Sequence, residues 1–314
     1  MLALPTCSSV EKINYFLENI KEEVTMLLQH GDYEVRIMVY INGKDASKKK
    51  CGIKYSGQGK VAVIPDDQCI GKNDAMNNMV KLMKKKNIDI VHFFDDDVLL
   101  APGSIKLNID ALLDQGKNAS RKVIVGSNFY GKIDDSLNCY RRFLQWIFTA
   151  PYSKESDYNY FIAGYGNCCW LSEYPELPCT ESNVAEDSFV AIYFGEIGGG
   201  LKAIIKPIGS EAYFEVPTHY REWLWQQIRT YIGIDRSFMC FGDKYDYYQR
   251  MFAWRYAEIP KYRKKFRKLT SKQVLRLIIF RIFQLPVRVM ASKYNDGTEI
   301  VPWNKYLERK NRDY

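Results

Sequence analysis

The apolar positions of this chain fall into short blocks whose spacing switches repeatedly between that of a strand and that of a helix. Leu2-Ala3-Leu4-Pro5-Thr6 reads as a first strand ending in a Pro-containing turn. A helix follows, with Ser8 or Ser9 as N-cap, Glu11 near the first turn and apolar Ile13, Phe16, Leu17, Ile20, Val24 and Leu27 at helical spacing. Residues 33–41 read as a strand stopped by Asn42-Gly43, residues 44–50 as a polar loop, and residues 60–65 as a third strand. Residues 71–86 read as a helix ending in lysines, which suit the negative helix terminus. Further on the pattern predicts a helix over 104–113 and a strand over 122–127. An aromatic, loop-rich region over 128–179 has strands expected near 160–164 and 168–171. Glu186 opens a helix broken at Gly198-Gly199-Gly200, and residues 202–207 resemble a strand. Strand–helix–strand alternation at this spacing implies right-handed crossovers and a parallel sheet. From His219 onward the pattern is helical.

The stretch 88–98 changes this picture most. Its apolar run, Ile88-Asp89-Ile90-Val91-His92-Phe93-Phe94, ends in Asp95-Asp96-Asp97. Ligands in open α/β sheets sit beyond the carboxyl ends of the strands. Alternate side chains on a strand point to opposite faces, so Asp95 and Asp97 converge on one object while Asp96 faces elsewhere. Two such carboxylates suit a hard divalent cation, Mn²⁺ or Mg²⁺. The same triplet also reads as a solvated acidic turn.

Composition narrows the class. The chain has 314 residues, 46% of them hydrophobic, which is ample for a core and argues against disorder. The formal charge of +8 is uneven, because residues 261–288 are strongly basic. Residues 261–268 form a basic run, and residues 274–285 are apolar but interrupted by arginines, a pattern that fits a helix lying in a membrane interface. The alternative is a helix packed on the domain. Eight cysteines show no CxxC pair and read as reduced thiols. No leader and no membrane-spanning run is expected, so the chain reads as cytoplasmic and peripheral at the inner face of a membrane.

Five pieces, in order over roughly residues 2–231, resemble the inverting family 2 glycosyltransferases. They are Leu4-Pro5-Thr6, the Gly-x-x-x-Ala-x-Asn pattern from Gly71 to Asn77, Phe94-Asp95-Asp96-Asp97, Ala185-Glu186-Asp187, and Gln226-Gln227-Ile228-Arg229-Thr230. The last resembles the Gln-x-x-Arg-Trp motif of the synthase-like branch, with Thr230 where that branch has Trp. Asn42 stands where the family has an acid.

The resemblance implies a GT-A fold, a Rossmann-like and mostly parallel sheet flanked by helices, with a C-terminal helical extension. Residues 1–215 would form the nucleotide-sugar-binding and catalytic domain, and 216–314 a helical region. It implies single displacement on a nucleotide-sugar, a UDP-sugar by inheritance from the family, with a glycan or lipid-linked acceptor. Asp187 is then the base and Glu186 the second choice. Asp97 holds the metal with Asp95. Pro5, Thr6, Asn42, Lys72 and Asp96 contact the nucleotide side. Gln226 and Arg229, three apart on one helix face, meet the diphosphate. The loop at Gly164-Tyr165 carries the acceptor, and Trp170 reads equally as a ring stacking on a sugar or as a core residue. Two other readings compete: a sugar nucleotidyltransferase, and a basic module binding nucleic acid or anionic lipid. The first lacks a Gly-rich, Lys-bearing phosphate loop, and the second leaves the acidic triplet unexplained. Nucleic acid is therefore not expected as a partner.

Overall fold

Alternate residues of β1 (Leu2–Thr6) bury on opposite faces, and this divides the core in two. Leu2 and Leu4 pack with Ile13, Phe16 and Leu17 of α1 (Val10–Asn19) and with Val24 and Leu27 of α2 (Lys21–Gln29). Ala3 faces the other way, toward Met76, Met79 and Met83 of α4 (Lys72–Lys84) and Val190, Ile192 and Phe194 of α7 (Glu186–Ile197). The result is a helix–sheet–helix sandwich. The structure is a computed structural model that describes residues 1–29, 33–68, 70–116, 122–152, 165–244 and 270–294.

The central sheet has seven strands. β2 (Arg36–Asn42) pairs parallel with β1 and with β3 (Lys60–Asp66), and β4 (Ile90–Phe94) pairs parallel with the other edge of β1. β8 (Tyr165–Trp170) runs antiparallel between β4 and β6 (Ile124–Gly126), and β9 (Ile204–Ile205) closes the row parallel to β6. The order is β3-β2-β1-β4-β8-β6-β9. The chain moves from β1 outward to β3, then returns to the far side of β1. The β1/β4 boundary is therefore the topological switch point, the place beyond the strand ends where open α/β sheets bind their ligands. A smaller sheet joins β5 (Val98–Leu100), β10 (Glu211–Glu215) and β7 (Asn128–Lys132).

Several local expectations change. The predicted loop at 44–50 holds α3 (Ala46–Gly52), a lysine-rich helix burying only Ala46, so it carries no periodic apolar signal. The strand over 202–207 shrinks to β9, preceded by a single 3₁₀ turn at Leu201–Ala203. The region over 128–179 holds β7 and also α6 (Cys139–Phe148), whose start is capped by the Asn138 side chain accepting from Arg141 N–H at 3.0 Å. α5 (Ser104–Gly116) packs on the sheet face covered by α1 and α2. The strand expected at 160–164 and the basic run at 261–268 lie outside the described residues.

The C-terminal helices form their own apolar cluster. α8 (Tyr220–Met239) buries Trp223, Ile228 and Ile232, and α9 (Ser271–Tyr294) buries Phe280, Val287 and Ala291 against it. Phe148 of α6 stacks on Trp223 with ring centroids 4.6 Å apart. Among the described residues no helix is long and apolar enough to cross a membrane.

Candidate active site

The acidic stretch does not continue the strand. β4 ends at Phe94, and Asp96 and Asp97 form a turn before β5. Strict face-sharing by Asp95 and Asp97 therefore does not hold, because the backbone leaves the sheet at the first acid. The turn sends the three carboxylates to different partners. Asp95 accepts from Lys72 Nζ at 2.6 Å. Asp96 accepts from the buried Thr6 hydroxyl at the end of β1. Asp97 is exposed and has no ion pair among the described residues.

Lys72 opens α4 and also donates to Glu186, the first residue of α7. One ammonium thus ties the acidic turn to the start of a helix more than ninety residues later. Two helix N-termini meet here, and each favours negative charge. Despite burial, Asp95 and Glu186 hold the Lys72 pKa well above its usual range. Burial works against Glu186 as an anion, but Lys72, its own amide and Arg229 keep its pKa below the usual carboxylate range. Burial pushes Asp95 up to about 7; Lys72 pulls against this, while Glu186 and Asp97 add to it. Burial and Glu186 raise the neighbouring Asp187 to about 6, with Lys72 and Ser188 opposing. Ser188 N–H donates to Asp187 Oδ1 at 2.7 Å and fixes that carboxylate.

Asn73 and Asp74, which the motif left unassigned, and its end residues Gly71 and Asn77 hold this frame. Asn73 Nδ2 donates to the carbonyls of Pro178 and Val184 at 3.0 and 3.3 Å. Asn77 exchanges two hydrogen bonds with the Leu177 backbone, each 2.9 Å. Thr180 N–H donates to Asp74 at 2.9 Å. The first turns of α4 therefore clasp the segment that delivers Glu186 and Asp187. Gly71 makes the approach possible: its φ is +86°, and a Cβ there would lie 2.1 Å from Thr180 Cγ2. Gly71→Ala is expected to cost about 1–3 kcal/mol through backbone strain and the clash. It should also weaken nucleotide binding, because Thr180 leads to Glu186. Thermal denaturation and a nucleotide titration check both; an unchanged melting temperature would remove the argument. The other anchor is α8, where Ala185 N–H donates to Gly233 O at 3.1 Å and Ser237 Oγ to Ala185 O at 3.1 Å. Lys12 of α1, also unanticipated, lies close enough to Asp97 to lower its pKa, against the larger raising effects of burial and Asp96.

The remaining candidates divide by position. Thr6 and Asn42 end neighbouring strands, and Pro5 is buried just before Thr6. Asn42 is buried, and its Oδ1 has no donor among the described residues. Arg229 is exposed on α8, facing Glu186 closely enough to lower its pKa. Gln226 is half-buried one turn earlier on the same helix. Tyr165 is paired with Phe94, at the acidic end of β4. Gly164 lies outside the described residues. Trp170 lies away from the acids. It pairs with Ile90, at the opposite end of β4, about 13 Å along the strand from Phe94, and packs on the core. An indole in that place braces the sheet. His92 is a core residue: buried, its pKa lowered to about 3, with Nε2 3.2 Å from Asn108 Nδ2.

The donor set suits a hard divalent cation. Its carboxylates outnumber the cations facing them, and Asp95, Asp97 and Asp187 all have raised pKa values. Among the described residues no three His, Cys, Asp or Glu side chains converge as a closed metal cage. Mg²⁺-type sites need no such cage, because one or two carboxylates share the ion with substrate phosphates and water.

The chain matches no protein-family model and no curated protein. Solved structures resemble it. A mannosyltransferase from Pyrobaculum calidifontis, in complex with GDP-Man and Mn²⁺, is 14% identical and has a TM-score of 0.52, covering 93% of this chain and 82% of its own. Mannosyl-3-phosphoglycerate synthase from Rubrobacter xylanophilus is 13% identical with a TM-score of 0.45, over 77% and 74% of the two chains. Glucosyl-3-phosphoglycerate synthase from Mycobacterium tuberculosis, in complex with Mn²⁺, UDP and phosphoglyceric acid, is 16% identical with a TM-score of 0.44, over 77% and 78%. The first of these carries the comparison, and at such identity it concerns fold alone. The fold is α/β of the GT-A type, a mostly parallel seven-stranded sheet flanked by helices.

Proposed function

We propose that this chain is an inverting, metal-assisted glycosyltransferase of the family 2 kind, moving a hexosyl or N-acetylhexosaminyl group from a UDP-sugar to a glycan or lipid-linked acceptor. The observation that carries this is the Asp95–Lys72–Glu186 bridge. It brings the acidic turn and the Glu-Asp helix start, far apart in sequence, into one crevice at the switch point. Residues 1–215 would supply that crevice, and 216–314 the helical cover that carries Gln226 and Arg229.

In this reading the nucleoside lies over the ends of β1 and β2. Asn42 Oδ1, buried without a donor, accepts a base N–H there. Pro5, Thr6 and Asp96 shape the wall beside it. Asp97, with Asp95, would hold Mn²⁺ or Mg²⁺, which supplies positive charge against the leaving diphosphate. Arg229 and Gln226 face the diphosphate from α8. Asp187 is the base and Glu186 is not, because Glu186 is ion-paired and held acidic while Asp187 is raised to about 6. Its carboxylate takes the proton of the acceptor hydroxyl as that oxygen bonds to the anomeric carbon and the bond to the diphosphate breaks. The backbone at Tyr165, beside Phe94, fits the acceptor side, with Gly164 next to it in sequence. The enzyme would work from the cytoplasm, peripherally at a membrane that carries its acceptor.

Thermal shift with UDP, GDP, ADP and CMP, each with Mn²⁺ and with chelator, tests the reading. Ligands that bind only the folded state raise the melting temperature. A Mn²⁺-dependent shift with UDP is expected. A shift with GDP alone would keep the chemistry and change the donor. No shift with any nucleotide would overturn the reading.

A further inference from the structure

A helix at a protein surface normally turns its apolar stripe inward and its charges outward. α9 is apolar on both sides. Its inner side buries Phe280, Val287 and Ala291 against α8 and α6. Its outer side presents Leu275, Ile278, Ile282, Leu285 and Val289, which are 51–64% exposed. These five follow a three-four-three-four spacing, a continuous ridge about 21 Å long. The surface extends onto α6, where Tyr140 and Phe143 are also exposed. The two helices are joined at Trp146. Phe143 lies 6.0 Å from it, Arg276 donates to its carbonyl at 2.5 Å, and the Lys272 ammonium sits 5.9 Å from its ring.

We infer that this α9–α6 surface is a docking face for a bilayer bearing anionic lipid. Charge decides between occupants. Residues 270–294, which carry the ridge, contain five Lys and Arg and no Asp or Glu. A second copy of α9 laid along the ridge would set arginine beside arginine, and Pro286 interrupts the exposed face a coiled coil would need. An anionic lipid surface meets both features at once: acyl chains receive the Ile and Leu ridge, and headgroups receive the flanking cations. Exposed Tyr and Phe at the margin suit the headgroup level. α8 packs on α9 and also on Ala185, so a single helix links α9 to the segment that delivers Glu186 and Asp187. The inference rests on the membrane contact in the reading above and gives it a surface and a lipid class.

The test is sedimentation of the full chain with phosphatidylcholine vesicles, with and without phosphatidylglycerol. The wild type is expected to pellet with the anionic vesicles and to be released by salt. Ile278→Ser with Ile282→Ser should lower partitioning about tenfold or more by removing the ridge. Lys272→Ala should lower it about fivefold. Both sites are exposed, so unchanged melting temperatures are expected. Equal pelleting of wild type and double variant would overturn the inference. So would a dimer, seen by ultracentrifugation and lost in the double variant, without vesicle binding. The nucleotide thermal shift separates the two claims. Lost vesicle binding with an intact Mn²⁺–nucleotide shift sinks only the docking face, and the reverse sinks only the transferase.

Discussion

Asp187→Asn is expected to leave nucleotide binding intact and to lower transfer by about 10²–10⁴-fold, the range over which a positioned base contributes. The substitution keeps the shape and the contact with Ser188, and it removes only the ability to take a proton. The wild-type profile should show the same group. Burial and Glu186 hold Asp187 at about 6, so the base form fills as pH rises. Transfer per unit enzyme and substrate should climb through about pH 6 and level off above it. Stability runs the other way. A carboxyl whose folded pKa lies above its unfolded value favours folding at low pH, and that contribution is lost as pH rises through about 6. A side-chain amide does not titrate in this range, so the variant is expected to melt higher than wild type at neutral pH. A variant that transfers normally, or a profile flat across pH 5 to 7, would remove Asp187 from the role.

The second large effect is expected at Asp97. Lys72 occupies Asp95 and Thr6 occupies Asp96, which leaves Asp97 as the carboxylate most open to a cation. Asp97→Ala should make the nucleotide-induced thermal shift the same with Mn²⁺ as with chelator, and should lower transfer by about 10³-fold. The cation-free protein should lose nothing in stability, because Asp97 has no ion pair among the described residues and the Asp96 charge disfavours its anion. Wild-type Mn²⁺ dependence in this variant would overturn the assignment, and unchanged nucleotide binding without metal would show that the pocket still folds.

Much of the frame was legible along the chain because it is written in local periods. The Ile13-to-Leu27 stripe, the Met76–Met79–Met83 stripe and the apolar run before Asp95 each meet the sheet face their spacing demands. α3 was not legible, because a helix that buries one alanine has no stripe. α6 was missed among aromatics, although Asn138 as its cap was a usable signal.

What the sequence determined by itself was the alternation of the first strands and helices, the parallel pairing this implies, and the placing of three acids beyond the carboxyl end of a buried strand. Three things were decided only by the tertiary structure. The acidic turn breaks at Phe94 because Lys72 and Thr6 draw successive carboxylates to different elements. Trp170 falls at the far end of β4 because antiparallel register, set by long-range pairing, fixes which end of β8 meets the acids. The outward ridge of α9 was hidden for a simpler reason. Periodicity shows that a helix has apolar positions, but when two faces are both apolar, only the packing of Phe280 and Val287 on α8 shows which one the fold covers.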